Sequence, residues 1–127
     1  MLLHELYFDG LGDGGEPLGG LAEAITRDFG SVENWRAQFS AMGKAIGGGS
    51  GWVLLTYLPR DERLINQWAA DHTTMLAGAR PILALDKFEH SYHIDYGPRS
   101  AAYVDAFMEV IRWDNAVELY DRYSREV

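Results

Sequence analysis

The chain has 127 residues, a formal net charge of −8, 47% hydrophobic residues and no cysteine. That length and apolar share suffice for one globular domain with its own core, while the acidic balance argues against a nucleic-acid partner or an anionic membrane surface. Without cysteine there is no disulfide framework and no thiolate site, so any metal must be held by His, Asp or Glu. No run reaches the length of a membrane span. The opening Met1-Leu2-Leu3-His4-Glu5 lacks the basic and long apolar regions of a secretory signal, so the expectation is a cytoplasmic protein with no membrane partner.

Leu2, Leu3, Leu6, Tyr7 and Phe8 crowd the first eight positions before Asp9-Gly10, the pattern of a helix's last turns stopped by glycine. A chain that opens in mid-helix implies an upstream element. Residues 11–20, rich in glycine with Asp13 and Pro17, read as a loop. Leu18, Leu21, Ala22, Ile25 and Phe29 then recur at helical spacing up to Gly30. Ser31 is the expected N-cap of a second helix with Val32, Trp35, Phe39 and Met42 on one face. Gly47-Gly48-Gly49-Ser50-Gly51 lacks the Lys-Ser/Thr of a phosphate cradle and leads into a strand, so it reads as a flexible or close-packed turn. Strands are expected at 52–57, 64–69 and 81–86, the first two joined through the turn Pro59-Arg60-Asp61-Glu62, with a polar corner at 71–74. Short helical turns follow His90 through Tyr96. A helix then runs from Arg99 to Ile111 with Tyr103, Phe107, Val110 and Ile111 inward, and Trp113, Ala116, Val117 and Tyr120 mark another. Helices, then three strands, then helices make an α+β domain.

The apolar run Pro81 to Leu85 ends at Asp86-Lys87-Phe88-Glu89-His90. A carboxylate at a strand end and an imidazole four residues on bring a hard anionic oxygen and a neutral nitrogen within reach of one point, a set suited to Fe, Mn or Zn rather than Ca or Mg. The same residues also fit a helix N-cap and a packed, hydrogen-bonded histidine. Of the other histidines, His4 lies on an apolar stretch, His72 in the polar corner, and His93 one helical turn after His90. No zinc-protease motif and no nucleophile elbow is present.

Several stretches together resemble the C-terminal portion of the iron/manganese superoxide dismutases. Asp86-Lys87-Phe88-Glu89-His90-Ser91-Tyr92 is similar to that family's Asp-x-Trp-Glu-His-Ala-Tyr motif, and His4-Glu5-Leu6-Tyr7-Phe8 to its His-x-x-(Phe/Tyr)-(Trp/Phe) stretch. Gly14-Gly15-Glu16-Pro17, Leu21 to Ile25, Phe29-Gly30-Ser31, Gly49-Ser50-Gly51-Trp52 and Trp113-Asp114 follow in the family's order, and the likeness covers about residues 2–123.

The resemblance implies helices around a three-stranded antiparallel sheet. It also implies one domain over 1–127, with residues 1–8 the remnant of a preceding helical hairpin. It implies one Fe or Mn ion per chain held by His4, Asp86 and His90, and disproportionation of superoxide to dioxygen and hydrogen peroxide. His72 would hydrogen-bond the solvent at the metal, Trp52 would wall the site, and Glu89 and His93 would sit at a homo-oligomer interface. With a net charge of −8, steering of superoxide must be local, from residues such as Lys87 or Arg99. The family's hairpin, with a further His ligand and a Tyr, has no counterpart here. Phe88 and His93 stand where the family has Trp and Tyr, and a second Trp is missing near Leu54. The alternative expectation is therefore a non-catalytic dismutase-like fold that serves as an interaction or oligomerisation module.

Overall fold

The computed structural model describes residues 6–7, 9–12, 14–45, 51–69, 78–86 and 100–125. Strands β1 (Trp52–Leu58), β2 (Arg63–Ala69) and β3 (Arg80–Asp86) form an antiparallel sheet with β1 in the centre, in the order β2-β1-β3. β1 is buried on both faces up to Tyr57, which explains an apolar run without alternation. Its register with β3 shifts between Leu55 and Thr56, where Thr56 faces Pro81 and Ile82 is passed over. The proline sits on an edge strand, where its missing N–H costs the ladder least.

Among the described residues four helices complete the fold: α1 (Gly19–Phe29), α2 (Val32–Ala45), α3 (Ser100–Glu109) and α4 (Asp114–Arg125). Ser31 caps α2 as expected, its Oγ accepting the Asn34 N–H at 2.9 Å. Helices α1, α2 and α4 lie against the sheet, and α3 packs on α2. Between them Leu21, Ile25, Trp35, Phe39, Val53, Leu55, Leu85 and Val104 belong to one buried core. The Trp35 Nε1–H donates to Asn66 Oδ1 at 2.9 Å, so the largest core side chain joins α2 to β2 without an orphaned polar atom.

The β1–β2 hairpin is clamped by the end of α1. Asp28 Oδ1 accepts from Arg27 Nε at 2.9 Å, and Oδ2 accepts from Arg27 NH2 and the Leu64 backbone N–H, each at 2.8 Å. The Arg27 guanidinium, and after it the Leu64 N–H, hold the Asp28 carboxyl below its ordinary pKa, while burial works the other way. The clamp occupies an outward N–H of edge strand β2 that would otherwise be open.

The N-terminal stretch is helical at Leu6, Tyr7 and Asp9 and ends at Gly10, whose N–H donates to the Leu6 and Tyr7 carbonyls at 3.1 and 3.2 Å. The expected loop beyond it is anchored: Leu11 and Ile111 form an antiparallel bridge, with Gly12 N–H to Val110 O and Arg112 N–H to Gly10 O both 2.7 Å. Gly14 has φ +85°, and a Cβ there would come within 2.6 Å of the Glu109 carbonyl oxygen. Only glycine fits under this corner. The bridge also corrects one expectation. The helix stops at Glu109, and Val110, expected to face inward, is 40% exposed, while Ile111 is buried beside Leu11.

Candidate functional site

The sheet register aligns the strand ends that matter. Trp52, the first residue of β1, is the direct partner of Ala69, the last residue of β2, and of Asp86, the last residue of β3. The chain segments that continue toward His72 and His90 therefore leave the sheet from one row. Trp52 itself is a buried indole, 1% exposed. The Asp86 backbone is described and pairs with Trp52. His4, His72, Glu89, His90 and His93 lie outside the described residues, as do Lys87 and Arg99. Among the described residues no three His, Asp or Glu side chains come together to hold a metal.

Two buried polar groups lie on the Trp52 face of the sheet, Gln67 two residues before Ala69 on β2 and Thr56 four residues along β1. Leu54 pairs with Gln67 and Thr56 with Ile65, so Trp52, Thr56 and Gln67 share one face. Thr56 and Gln67 are buried, and Thr56 Oγ1 and Gln67 Oε1 have no hydrogen-bond partner. Buried acceptors of this kind are what ordered solvent ordinarily satisfies. Gly51, directly before Trp52, is a close-packed glycine. A Cβ on it would stand 2.5 Å from Trp68 Nε1 and 3.2 Å from the Ala69 carbonyl oxygen. The close-packed reading of the glycine run therefore holds at this residue.

On the donor chemistry, the proposed set fits iron or manganese. One carboxylate and two imidazoles combine anionic oxygen with neutral nitrogen, and no thiolate competes. The row of strand ends adds a buried aromatic neighbour, with the unmatched Gln67 Oε1 two residues along β2. Elsewhere, a cavity of about 450 Å3 at the start of α4 is lined by Gly12, Gly14, Glu16, Arg112, Trp113 and Asp114. None of these is an expected site residue.

Sequence reasoning missed a buried phenol pair. Tyr7 and Tyr103 place their hydroxyl oxygens 2.8 Å apart, 96 residues distant in sequence, and the Tyr7 ring stacks on Phe107 at 6.0 Å and 10°. In the sequence both tyrosines read only as inward apolar positions. A signal for the pair lay in neither local pattern, because it joins opposite ends of the chain.

Comparison with known proteins then bears on this arrangement. The family model described as iron/manganese superoxide dismutases, C-terminal domain, matches residues 17–119. The chain is similar to superoxide dismutase (Fe) of Cupriavidus metallidurans, 69% identical over 126 residues, covering 99% of this chain and 64% of that protein. It is also similar to superoxide dismutase (Mn) 2 of Halobacterium salinarum, 48% identical over 122 residues, covering 94% of this chain and 60% of that protein. Superoxide dismutase (Fe) of Methanothermobacter thermautotrophicus is 38% identical over 125 residues, with 94% and 60% covered. The chain thus spans less than two thirds of the length of these curated relatives.

Proposed function

We propose, from the premise that this chain belongs to the iron/manganese superoxide dismutase family, that it supplies the C-terminal part of a mononuclear dismutase site and acts on superoxide. In this reading residues 1–127 are one such domain and residues 1–8 the end of a preceding helical hairpin. A cytoplasmic, self-associating protein is the proposed setting. Among the described residues no helix is long and apolar enough to cross a membrane.

The observation that carries the proposal is the pairing of Trp52 with both Ala69 and Asp86. It sets the last residue of β2, Ala69, and the last residue of β3, Asp86, on either side of Trp52 at one end of the sheet, which supports the reading that the segments after them supply His72 and His90. Asp86, His90 and His4 would hold the ion. An iron or manganese ion bound there supplies the one-electron couple that oxidises one superoxide to dioxygen and reduces another to peroxide. Asp86 contributes an anionic oxygen that favours the higher charge state, and His4 and His90 contribute neutral nitrogens. Trp52 keeps bulk water from one side. His72 holds a solvent hydrogen bond at the site, the kind of outer contact that tunes a metal's potential. Glu89 and His93 are assigned to contacts with a second copy. Lys87 and Arg99 supply local positive charge for an anionic substrate in a chain of net charge −8.

Elemental analysis of protein purified without added metal, followed by a dismutase assay, tests this. Iron or manganese near one per chain, lost in His90→Ala together with activity, is the expected result. Protein that stays metal-free and inactive after reconstitution with either ion would hand the function to the interaction-module reading.

A further inference from the structure

We infer that the outer edge of β2 pairs antiparallel with the same edge of a second copy, on a twofold axis at Gln67, joining two three-stranded sheets into one. This interface is separate from the contacts proposed for Glu89 and His93 and does not depend on the metal assignment. β2 is an edge strand whose only neighbour among the described strands is β1. An antiparallel strand bonds its neighbour through alternate residues. The Leu64 N–H donates to Asp28 Oδ2 at 2.8 Å, so Leu64, Asn66 and Trp68 are the residues that turn their backbone groups outward. At Asn66 and Trp68, among the described residues, no contact takes up these groups. The edge is thus guarded at the Leu64 end and open at the other, and an open edge is a template for another chain.

The open half is complementary to itself. With the twofold axis at Gln67, Asn66 stands opposite Trp68 of the second copy and Trp68 opposite its Asn66. Both are hydrogen-bonded pairs of the kind that exchanges an N–H···O bond in each direction, and both clear the Asp28 clamp. Gln67 then faces Gln67 of the second copy in a non-hydrogen-bonded pair, with Cβ atoms about 4.5–5.5 Å apart. Gln67 is only 9% exposed, and its Oε1 has no partner within one chain. An amide carries acceptor and donors together, so each Gln67 Oε1 accepts from the Nε2 of the other. The two Trp68 rings, each 50% exposed in the single chain, take diagonal positions about 7–8 Å apart, within reach of each other. Residues 65–69 carry no charge, so two chains of net charge −8 meet along a neutral segment.

Sedimentation velocity of the 127-residue chain tests the pairing. A concentration-dependent dimer is expected. It should strengthen between 0.01 M and 0.15 M salt, as the Debye length falls from about 30 Å to about 8 Å and repulsion between the acidic chains is screened. Trp68→Lys should weaken it about thirtyfold, the scale of a lost aromatic hot spot. Because that variant also loses packing on Gly51, a crosslink gives a second reading. The chain has no cysteine, and facing Gln67 positions suit a disulfide. Gln67→Cys should crosslink to a covalent dimer under mild oxidation. Ile65→Cys should not, because in this register Ile65 faces Ala69 of the second copy. A parent chain that stays monomeric at every concentration and salt leaves the edge to a peptide of another protein and overturns the inference. So does a dimer in which Ile65→Cys crosslinks as readily as Gln67→Cys, or one that a folded Trp68→Lys leaves unchanged.

Discussion

Replacing Gly51 by alanine probes the sheet end on which the proposed site depends. The new methyl would stand 2.5 Å from Trp68 Nε1 and 3.2 Å from the Ala69 carbonyl oxygen, at a residue with φ +157°. Ordinary contact needs about another ångström from the indole, so either Trp68 swings away or the start of β1 moves relative to Ala69. Overpacking of this kind costs about 1–3 kcal/mol. With a urea dependence of about 1–3 kcal/mol per molar, the unfolding midpoint should fall by roughly 1 M. Trp68 is 50% exposed, so its own truncation forfeits about half the value of a fully buried side chain, near 1 kcal/mol. In a Gly51→Ala/Trp68→Ala double variant the nearest clash is gone, and the pair should show a coupling of about 0.5–2 kcal/mol. Urea unfolding by circular dichroism measures all four states. An unchanged midpoint in Gly51→Ala, or an equal loss with and without Trp68, would refute the close-packed account of this turn.

Asp28→Ala should lower stability by about 1.5–3 kcal/mol, because it strips a charge-assisted acceptor from the Leu64 N–H and from Arg27. The sign of its pH dependence follows from a folded-state pKa held down by Arg27. The contribution is complete above the unfolded-state value of about 3.9 and is lost as pH falls through the lower folded value. The urea midpoints of parent and variant should converge in acid below about pH 4. Gly43→Ala introduces a Cβ 2.8 Å from Leu85 Cδ2 and 3.3 Å from both Val104 γ carbons. Overpacking of about 1–3 kcal/mol, less up to about 1 kcal/mol of helix propensity, leaves a thermal midpoint lower by roughly 4 °C in scanning calorimetry. Lys44→Ala breaks a 2.7 Å pair with Asp105 whose partners are 40% and 63% exposed. Its urea midpoint should move by less than about 0.5 kcal/mol equivalent.

The sheet and the first two helices were legible because their signals are local. Ser31 caps α2 through its own side chain, and the three apolar runs gave β1, β2 and β3 to within a residue. The end of α3 was not. Val110 and Ile111 continue its apolar pattern, yet the chain leaves the helix at Glu109 because Leu11, a hundred residues earlier, offers Ile111 a backbone partner. The Tyr7–Tyr103 pair and the Gly14–Glu109 approach were hidden for the same reason. For the site, periodicity placed Asp86 at a strand end, and the register adds that Trp52 is its neighbour and Ala69 its counterpart across β1. Residue spacing alone left Asp86 and His90 open between a helix cap and a metal pair. Family motifs named His4 and His72, since convergence of distant segments has no local signature.

Convergence of His4, Asp86 and His90 on one ion is the central claim, and pulsed electron paramagnetic resonance of the Mn(II)-loaded chain tests it most directly. The account predicts nitrogen modulation from two imidazoles in the parent, from one in His4→Ala and one in His90→Ala, with Asp86→Ala weakening Mn(II) binding. Manganese without nitrogen coupling, or a parental spectrum in either histidine variant, would contradict it.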